Sequence, residues 1–259
     1  MLNMRLARPR LVVDLNGVPG LDAIIATPDG GLRVGALARH TDVATAPLVR
    51  ERAPLLAEAA RHIGHVAIRN RGTLGGSLAH ADPAAELPAA VVALDATVVV
   101  VGPGGRRTVR AADFFRGLLM TALAPDEVLT EVHVPPQRGG WAFAEVARRP
   151  GDFALVGVAA AGIAVHDDRG AAAGGADRRD ARIVGFGVAD GPARLRAAEA
   201  VLAGAPLDPE TIRGASLAAG QDCAPSDDVH ASADYRRHLA AVLVEQVLLD
   251  AINRQTAGR

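Results

Sequence analysis

The sequence predicts an α+β fold made of two consecutive blocks, and three observations carry that prediction. Up to about residue 136, short β-branched runs mix with helical stretches around a glycine-rich segment at Gly72–Ser77. From about residue 140 a set of strands comes first and helices follow, a segregation typical of α+β chains. Between the blocks, Pro135-Pro136-Gln137-Arg138-Gly139-Gly140 has the composition of a connector. The expected units are therefore residues 1–136 and 140–259.

Each element has a local reason. Leu11–Leu15 is a short apolar run ended by the turn signal Asn16-Gly17. Ile24-Ile25 and Leu32–Gly35 flank Pro28-Asp29-Gly30-Gly31 and form a predicted hairpin. Thr41 is placed to cap a short helix over Asp42–Ala46, and Leu55, Leu56, Ala59, Ala60 and Ile63 recur at helical spacing after Pro54. Gly72–Ser77 is expected as a loop, with Pro83 in the first turn of the next helix and Glu86 near its positive end. Ala96–Val101, the turn Gly102–Gly105 and Arg107–Val109 predict a second hairpin.

Val128–Val134 is a further strand at the end of the first block; in the second, strands are expected over Ala142–Ala147, Phe153–Val165 and Arg182–Val188, with a loop at Asp167–Asp180. Helices are expected over Pro192–Ala203, Pro209–Ala219 and Ser232–Asn253. The last is read as amphipathic, with Leu239, Val242, Leu243, Val247 and Leu248 inward and Arg236, Arg237 and Glu245 outward.

Composition excludes several function classes. A formal net charge of -1 gives no general attraction to nucleic acid or to an anionic membrane. The basic clusters Arg106-Arg107-Thr108-Val109-Arg110 and Arg148-Arg149 are read as solvated faces. The chain has no lysine, which with its high alanine content points to a GC-rich coding sequence and carries no functional signal. Cys223 is the only cysteine, so the chain alone holds neither a disulfide nor an iron–sulfur cluster, which takes about four thiolates. The N-terminus has no signal-peptide core, and the longest apolar run is short of the ~20 residues of a membrane span. A cytoplasmic protein is expected.

The chemistry concentrates in Arg69-Asn70-Arg71-Gly72-Thr73-Leu74-Gly75-Gly76-Ser77, followed by Ala81-Asp82-Pro83. Gly75 and Gly76 allow a close backbone approach, successive N–H groups of such a loop can converge on phosphate oxygens, and the Thr73 and Ser77 hydroxyls add donors. Asp82 is an acceptor for a sugar or ribityl hydroxyl. By itself a Gly-Gly turn between elements is the commoner reading. The segment lacks the Gly-Lys-Ser/Thr of a Walker loop and the GxGxxG of a nicotinamide site.

The stretch RNRGTLGGSLAHADPAAELP resembles the second flavin motif of the FAD-binding medium subunits of molybdenum hydroxylases, the carbon monoxide dehydrogenase/xanthine dehydrogenase family. LNMRLARP at residues 2–9, PDEVLTEVHVP at 125–135, FAEVARRPGDFALVGV at 143–158 and HASADYRRHL at 230–239 resemble further family segments in the expected order. The resemblance implies a PCMH-type (vanillyl-alcohol-oxidase-like) FAD-binding domain followed by a carbon monoxide dehydrogenase flavoprotein C-terminal-like α+β domain. It also implies that Thr73, Leu74, Gly75, Gly76 and Ser77 line the FAD diphosphate and that Asp82 meets the ribityl or flavin side. Leu129 would lie beside the adenine or isoalloxazine, and Phe153 near the flavin. For Leu129 and Phe153, ordinary core packing is the competing reading. The implied partners are a molybdopterin-binding large subunit and a [2Fe-2S] small subunit; the implied task is electron transfer, with no general acid or base on this chain.

The family's earlier glycine motif, A-G-G-x-S/T-L, normally precedes the segment that starts here at Leu2, so the flavin domain is expected to be truncated. A downstream start, complementation in trans or a flavin-free variant would each account for that. The expectation is weak FAD binding by the chain as given, because charge-assisted contacts of roughly 1.5–3 kcal/mol each would be lost. A flavin-free scaffold or a recruited small-molecule enzyme is the alternative function. His62 and His65, with His80 near Asp82 and Glu86, make a metal site conceivable, but scattered surface histidines are the plainer reading. No GxSxG elbow supports a triad. Asp126-Glu127 and Asp227-Asp228 are read as solvated turn carboxylates.

Overall fold

A computed structural model of the chain describes residues 2, 4–164, 181–203 and 205–257. The loop expected at Asp167–Asp180 lies outside the described residues. The apolar run Leu11–Leu15 forms no regular element, and Leu11, Val12 and Val13 are exposed.

The expected first hairpin is present as β1 (Ile24–Ala26) and β2 (Leu32–Gly35). Six helices follow: α1 (His40–Thr45), α2 (Pro47–Arg52), α3 (Pro54–His62), α4 (Val66–Arg69), α5 (Leu74–His80) and α6 (Glu86–Ala93). Thr41 sits inside α1 and does not cap it; its hydroxyl donates to Asn70 Oδ1 at 2.6 Å. Then come β3 (Thr97–Gly102), β4 (Gly105–Arg110), α7 (Ala111–Phe114), the small hairpin β5 (Phe115–Gly117) and β6 (Met120–Thr121), and β7 (Val128–Val134). The first sheet runs β1-β2-β7-β3-β4 and is antiparallel throughout.

The register between β3 and β7 shifts by one residue at Val99/Val100, leaving Thr130 as a bulge. Strict alternation from Val134 and Val132 would put Thr130 inward; the bulge puts Leu129 there instead. The Arg106–Arg110 cluster is not simply solvated. Arg106 pairs with Glu131, Arg107 with Glu127 and Arg110 with Asp95 along the sheet edge. The Arg107 guanidinium holds the Glu127 carboxyl down to about 2, so Glu127 is an anchored carboxylate.

The second sheet runs β11-β10-β9-β8, also antiparallel, from β8 (Gly140–Ala147), β9 (Ala154–Ile163), β10 (Arg182–Phe186) and β11 (Ala193–Arg194). Both its faces are buried. Phe143, Ala159, Ala161, Val184 and Phe186 point into the core of the first block, against α3 and α6. Ala142, Ala144, Val156, Val158, Ala160 and Ile183 face α8 (Arg196–Leu202), α9 (Pro209–Ala219) and α10 (Ala233–Ala257). Small side chains on β9 let helices approach both faces closely.

Helix α10 corrects the expected facing of two residues: Arg236 is buried and Val242 is half exposed. The buried stripe runs Arg236, Ala240, Leu243, Val244, Val247, Ala251, so Arg236 continues the inward face at helical spacing. Among the described residues, no helix is long and apolar enough to cross a membrane.

Candidate functional site

The glycine segment expected as a loop is the start of a helix. Thr73 caps α5 by accepting a hydrogen bond from Gly76 N–H at 3.1 Å. Leu74 N–H donates to the Ala38 carbonyl at 2.9 Å and Gly75 N–H to the Ala36 carbonyl at 2.7 Å. The backbone amides expected to converge on a phosphate are thus already engaged within the protein. Gly75 is required by packing: a Cβ there would lie 2.5 Å from Ala36 Cβ and 2.9 Å from its carbonyl oxygen. At Gly76 a Cβ would meet only the capping hydroxyl of Thr73, at 2.8 Å.

Pro83 does not open the next helix. It lies in the turn before α6, where its carbonyl accepts from Gly187 N–H at 2.8 Å and ties the first block to the second. Helix α6 begins at Glu86, which leaves Pro88 in the first turn, where its missing N–H costs nothing.

Two clefts meet here. The smaller, about 410 Å³, includes Thr73, Gly76, Ser77, His80 and Glu86 in its lining. The larger, about 810 Å³, is walled by Arg148, Asp152, Asp190, Asp228, His230 and Arg236. Asp82 and Phe153 line both. Phe153 lies just before β9 and not within it; 69% exposed, it stands as an aromatic plate between the two spaces. Asp82 is fixed by accepting from Ala84 N–H at 2.9 Å. Each cleft has the size of a small-molecule site, and polar and charged side chains line both.

The larger cleft is held by Arg236. Its guanidinium donates to the Leu155 carbonyl, to the Gly187 carbonyl at 3.4 Å and to Asp228 Oδ2 at 2.7 Å. Asp228 also accepts from the N–H groups of His230 and Ala231, and these two bonds hold its carboxyl below the usual range, with Arg236 adding to the effect. Asp227 accepts from Ala233 N–H at the start of α10. The pair expected as solvated carboxylates is therefore structural.

The smaller cleft has buried ionisable groups. His40, 6% exposed, has its pKa pushed down, first by burial, and its Nε2–H donates to the Thr73 carbonyl at 2.9 Å. Glu86, also 6% exposed, is pushed up to about 7, chiefly by burial. Glu145 and Asp82 raise it further and His62 opposes them. His62 lies between Glu145, at 3.4 Å, and Glu58, at 3.7 Å, and its pKa is raised, first by the bond to Glu145. His62 and His65 have different neighbours: His62 stands between Glu145 and Glu58, and the His65 ring lies against Gly151, where a Cβ would come within 2.4 Å of it. Among the described residues no three His, Cys, Asp or Glu side chains are grouped to hold a metal ion.

Of the residues singled out from the sequence, Thr73, Gly76, Ser77, Asp82 and Phe153 come together at the clefts. Leu74 and Gly75 are buried beneath them as the packing of α5. Leu129, 5% exposed, sits in the core of the first sheet and lines neither cleft. Sequence reasoning missed Arg236, His40 and the Glu86–Glu145–His62 group. One signal for Glu86 was available: it is the lone charge in the apolar run Leu87–Leu94 that it opens.

Comparison with known proteins gives the class, a flavoprotein subunit of the molybdenum hydroxylase type. Residues 1–137 match the FAD binding domain in molybdopterin dehydrogenase, and residues 141–251 match the CO dehydrogenase flavoprotein C-terminal domain. The chain is 40% identical to the nicotine 6-hydroxylase medium subunit of Paenarthrobacter nicotinovorans, over 97% of this chain and 85% of that protein. It is 35% identical to the carbon monoxide dehydrogenase medium chain of Hydrogenophaga pseudoflava, over 96% and 84%. The crystal structure of quinoline 2-oxidoreductase from Pseudomonas putida 86 superposes with a TM-score of 0.89 at 37% identity, covering 98% of this chain and 86% of that one. The chain belongs to the family of FAD-binding medium subunits of molybdenum hydroxylases.

Proposed function

We propose that this chain is the FAD-carrying electron-transfer subunit of a cytoplasmic molybdenum hydroxylase complex, with a molybdopterin-binding large subunit and a [2Fe-2S] small subunit as partners. A bound flavin supplies the exchange between one-electron and two-electron carriers. The observation that carries the reading is the pair of clefts joined at Asp82 and Phe153, with the Thr73-Gly76-Ser77 edge of α5 at one end.

The residues present suit the group. Gly76 has no side chain to cover the mouth of α5, the Thr73 and Ser77 hydroxyls and Arg71 offer donors to a diphosphate, and Asp82 offers an acceptor to ribityl hydroxyls. Because the Leu74 and Gly75 amides are engaged, hydroxyls and Arg71 carry the diphosphate on this side. Phe153 offers an aromatic face to a planar ring. Leu74 and Gly75 act from below by fixing α5, and Leu129 acts through the sheet that supports it. Residues 1–136 form the flavin unit and 140–259 the unit that closes the larger cleft. The residues of this chain bind, orient and shield; the substrate is oxidised on another subunit.

Titration of FAD into the purified chain tests the proposal, with flavin fluorescence as the readout and metal analysis of the co-purified complex beside it. Weak but saturable one-to-one binding to the chain as given, with molybdenum and iron in the complex, is expected. No flavin uptake and no metal-bearing partner would overturn it.

A further inference from the structure

Glu86 is a buried carboxyl that the flavin-binding role leaves unused, and its surroundings form a path. It lines the smaller cleft, where Thr73, Ser77 and Asp82 also stand. Glu145 of β8 is near enough to raise the Glu86 pKa electrostatically, and its Oε2 is buried without a hydrogen-bond partner. Glu145 Oε1 lies 3.4 Å from His62 Nδ1, and His62 Nε2 lies 3.7 Å from Glu58. The Glu145 side chain is 11% exposed, whereas His62 and Glu58, the two groups on α3, are 34% and 26% exposed. The line thus starts in the cleft and ends at solvent on α3.

Among the described residues, three charged or titratable groups act most on Glu86. They are His62 from α3, Glu145 from β8 and Asp82 from the turn before α6. Across the cleft stand His40, Arg71 and His80. The packed faces of β9 and β10 present Ala159, Ala161, Val184 and Phe186, all apolar.

Resting on the functional reading above, we infer that Glu86 is the proton donor and acceptor for the flavin and that Glu145, His62 and Glu58 connect it to solvent. When a one-electron iron–sulfur donor has delivered two electrons to the isoalloxazine, the Glu86 O–H bond breaks and an N–H bond forms on the ring. The Glu86 carboxylate is refilled from solvent through His62 and Glu145. On reoxidation by a two-electron acceptor the proton returns along the same path. A carboxyl that titrates near neutrality is matched to that task, since it holds and releases its proton at working pH.

The test uses the flavin-loaded holoenzyme and three variants, Glu86→Gln, Glu145→Gln and His62→Gln. Proton uptake on reduction is followed by a pH dye in stopped flow, and the flavin midpoint potential is measured against pH. The wild-type potential is expected to change slope near pH 7. Glu86→Gln should remove that break and slow proton uptake by about a hundredfold, the low end of what a positioned proton donor contributes. Glu145→Gln removes a like charge and should move the break to lower pH, while His62→Gln should move it to higher pH. These opposite shifts keep the test valid if Glu86→Gln fails to fold, and a merely structural role would not produce them. Flavin uptake with a pH profile unchanged by all three variants overturns this inference alone. A holoenzyme without flavin overturns the functional reading together with it.

Discussion

The two clefts are walled by different means. The smaller is shaped by backbone: α5 is locked onto residues 36–38 by two amide–carbonyl bonds, and Gly75 permits contact with Ala36 at a distance no side chain would allow. The larger is shaped by charge: Arg236 gathers two carbonyls and a carboxylate into one wall. The difference teaches that a glycine-rich motif in this chain is a packing device first. Its glycines position hydroxyls by letting a helix come close, and its amides are largely consumed in doing so.

Substitutions at four positions break or sharpen that comparison. Arg236→Leu should have the largest effect, because the Leu155 and Gly187 carbonyls and Asp228 lose a charged donor; about 2–3 kcal/mol of stability should be lost, read as a lower urea midpoint. An unchanged midpoint would mean that the larger cleft is held by packing as well. Gly75→Ala follows. Overpacking against Ala36 costs up to about 3 kcal/mol and the gain in helix propensity returns about 1, so a net loss of up to about 2 kcal/mol is expected, with weakened FAD binding. A neutral or stabilising result would show that α5 can shift.

Thr73→Ala removes the cap of α5 and should cost about 1 kcal/mol in thermal or urea unfolding, while Thr73→Ser should stay near wild type. Phe153→Ala should change stability by less than about 0.5 kcal/mol, since the ring is exposed. It should nonetheless weaken FAD three- to tenfold, because an aromatic contact is worth about 0.5–1.5 kcal/mol. Equal affinity for FAD in that variant would remove Phe153 from the site.

Much of this was legible in the sequence for identifiable reasons. Two of the three hairpins of the first block, β1–β2 and β3–β4, follow from β-branched runs around turn residues, and α3 and α9 follow from Pro at their starts and apolar residues at helical spacing. The site was legible where residue type and neighbourhood agree, as at Thr73, Ser77 and Asp82. Three things were hidden. The bulge at Thr130 decides which way Leu129 points, and pairing register is a tertiary property. Arg236 was assigned outward because it is charged, although its spacing to Ala240 and Val244 placed it inward; its partners are carbonyls some fifty and eighty residues away, at Gly187 and Leu155. Gly72–Ser77 was expected as a loop because two adjacent glycines weaken helix propensity, whereas the cap at Thr73 and the contact with Ala36 outweigh that cost.

The second sheet has a consequence for how the molecule can be taken apart. Each of its faces completes a different core, so Ala159 and Ala160, adjacent on one strand, belong to opposite halves of the protein. Cutting the chain at its proline-glycine connector would strip one core of its wall and leave the other with a bare apolar surface. Two segments that match separate families are therefore one thermodynamic body. In a calorimeter the chain should give a single peak, and neither piece should be portable into another protein without the other.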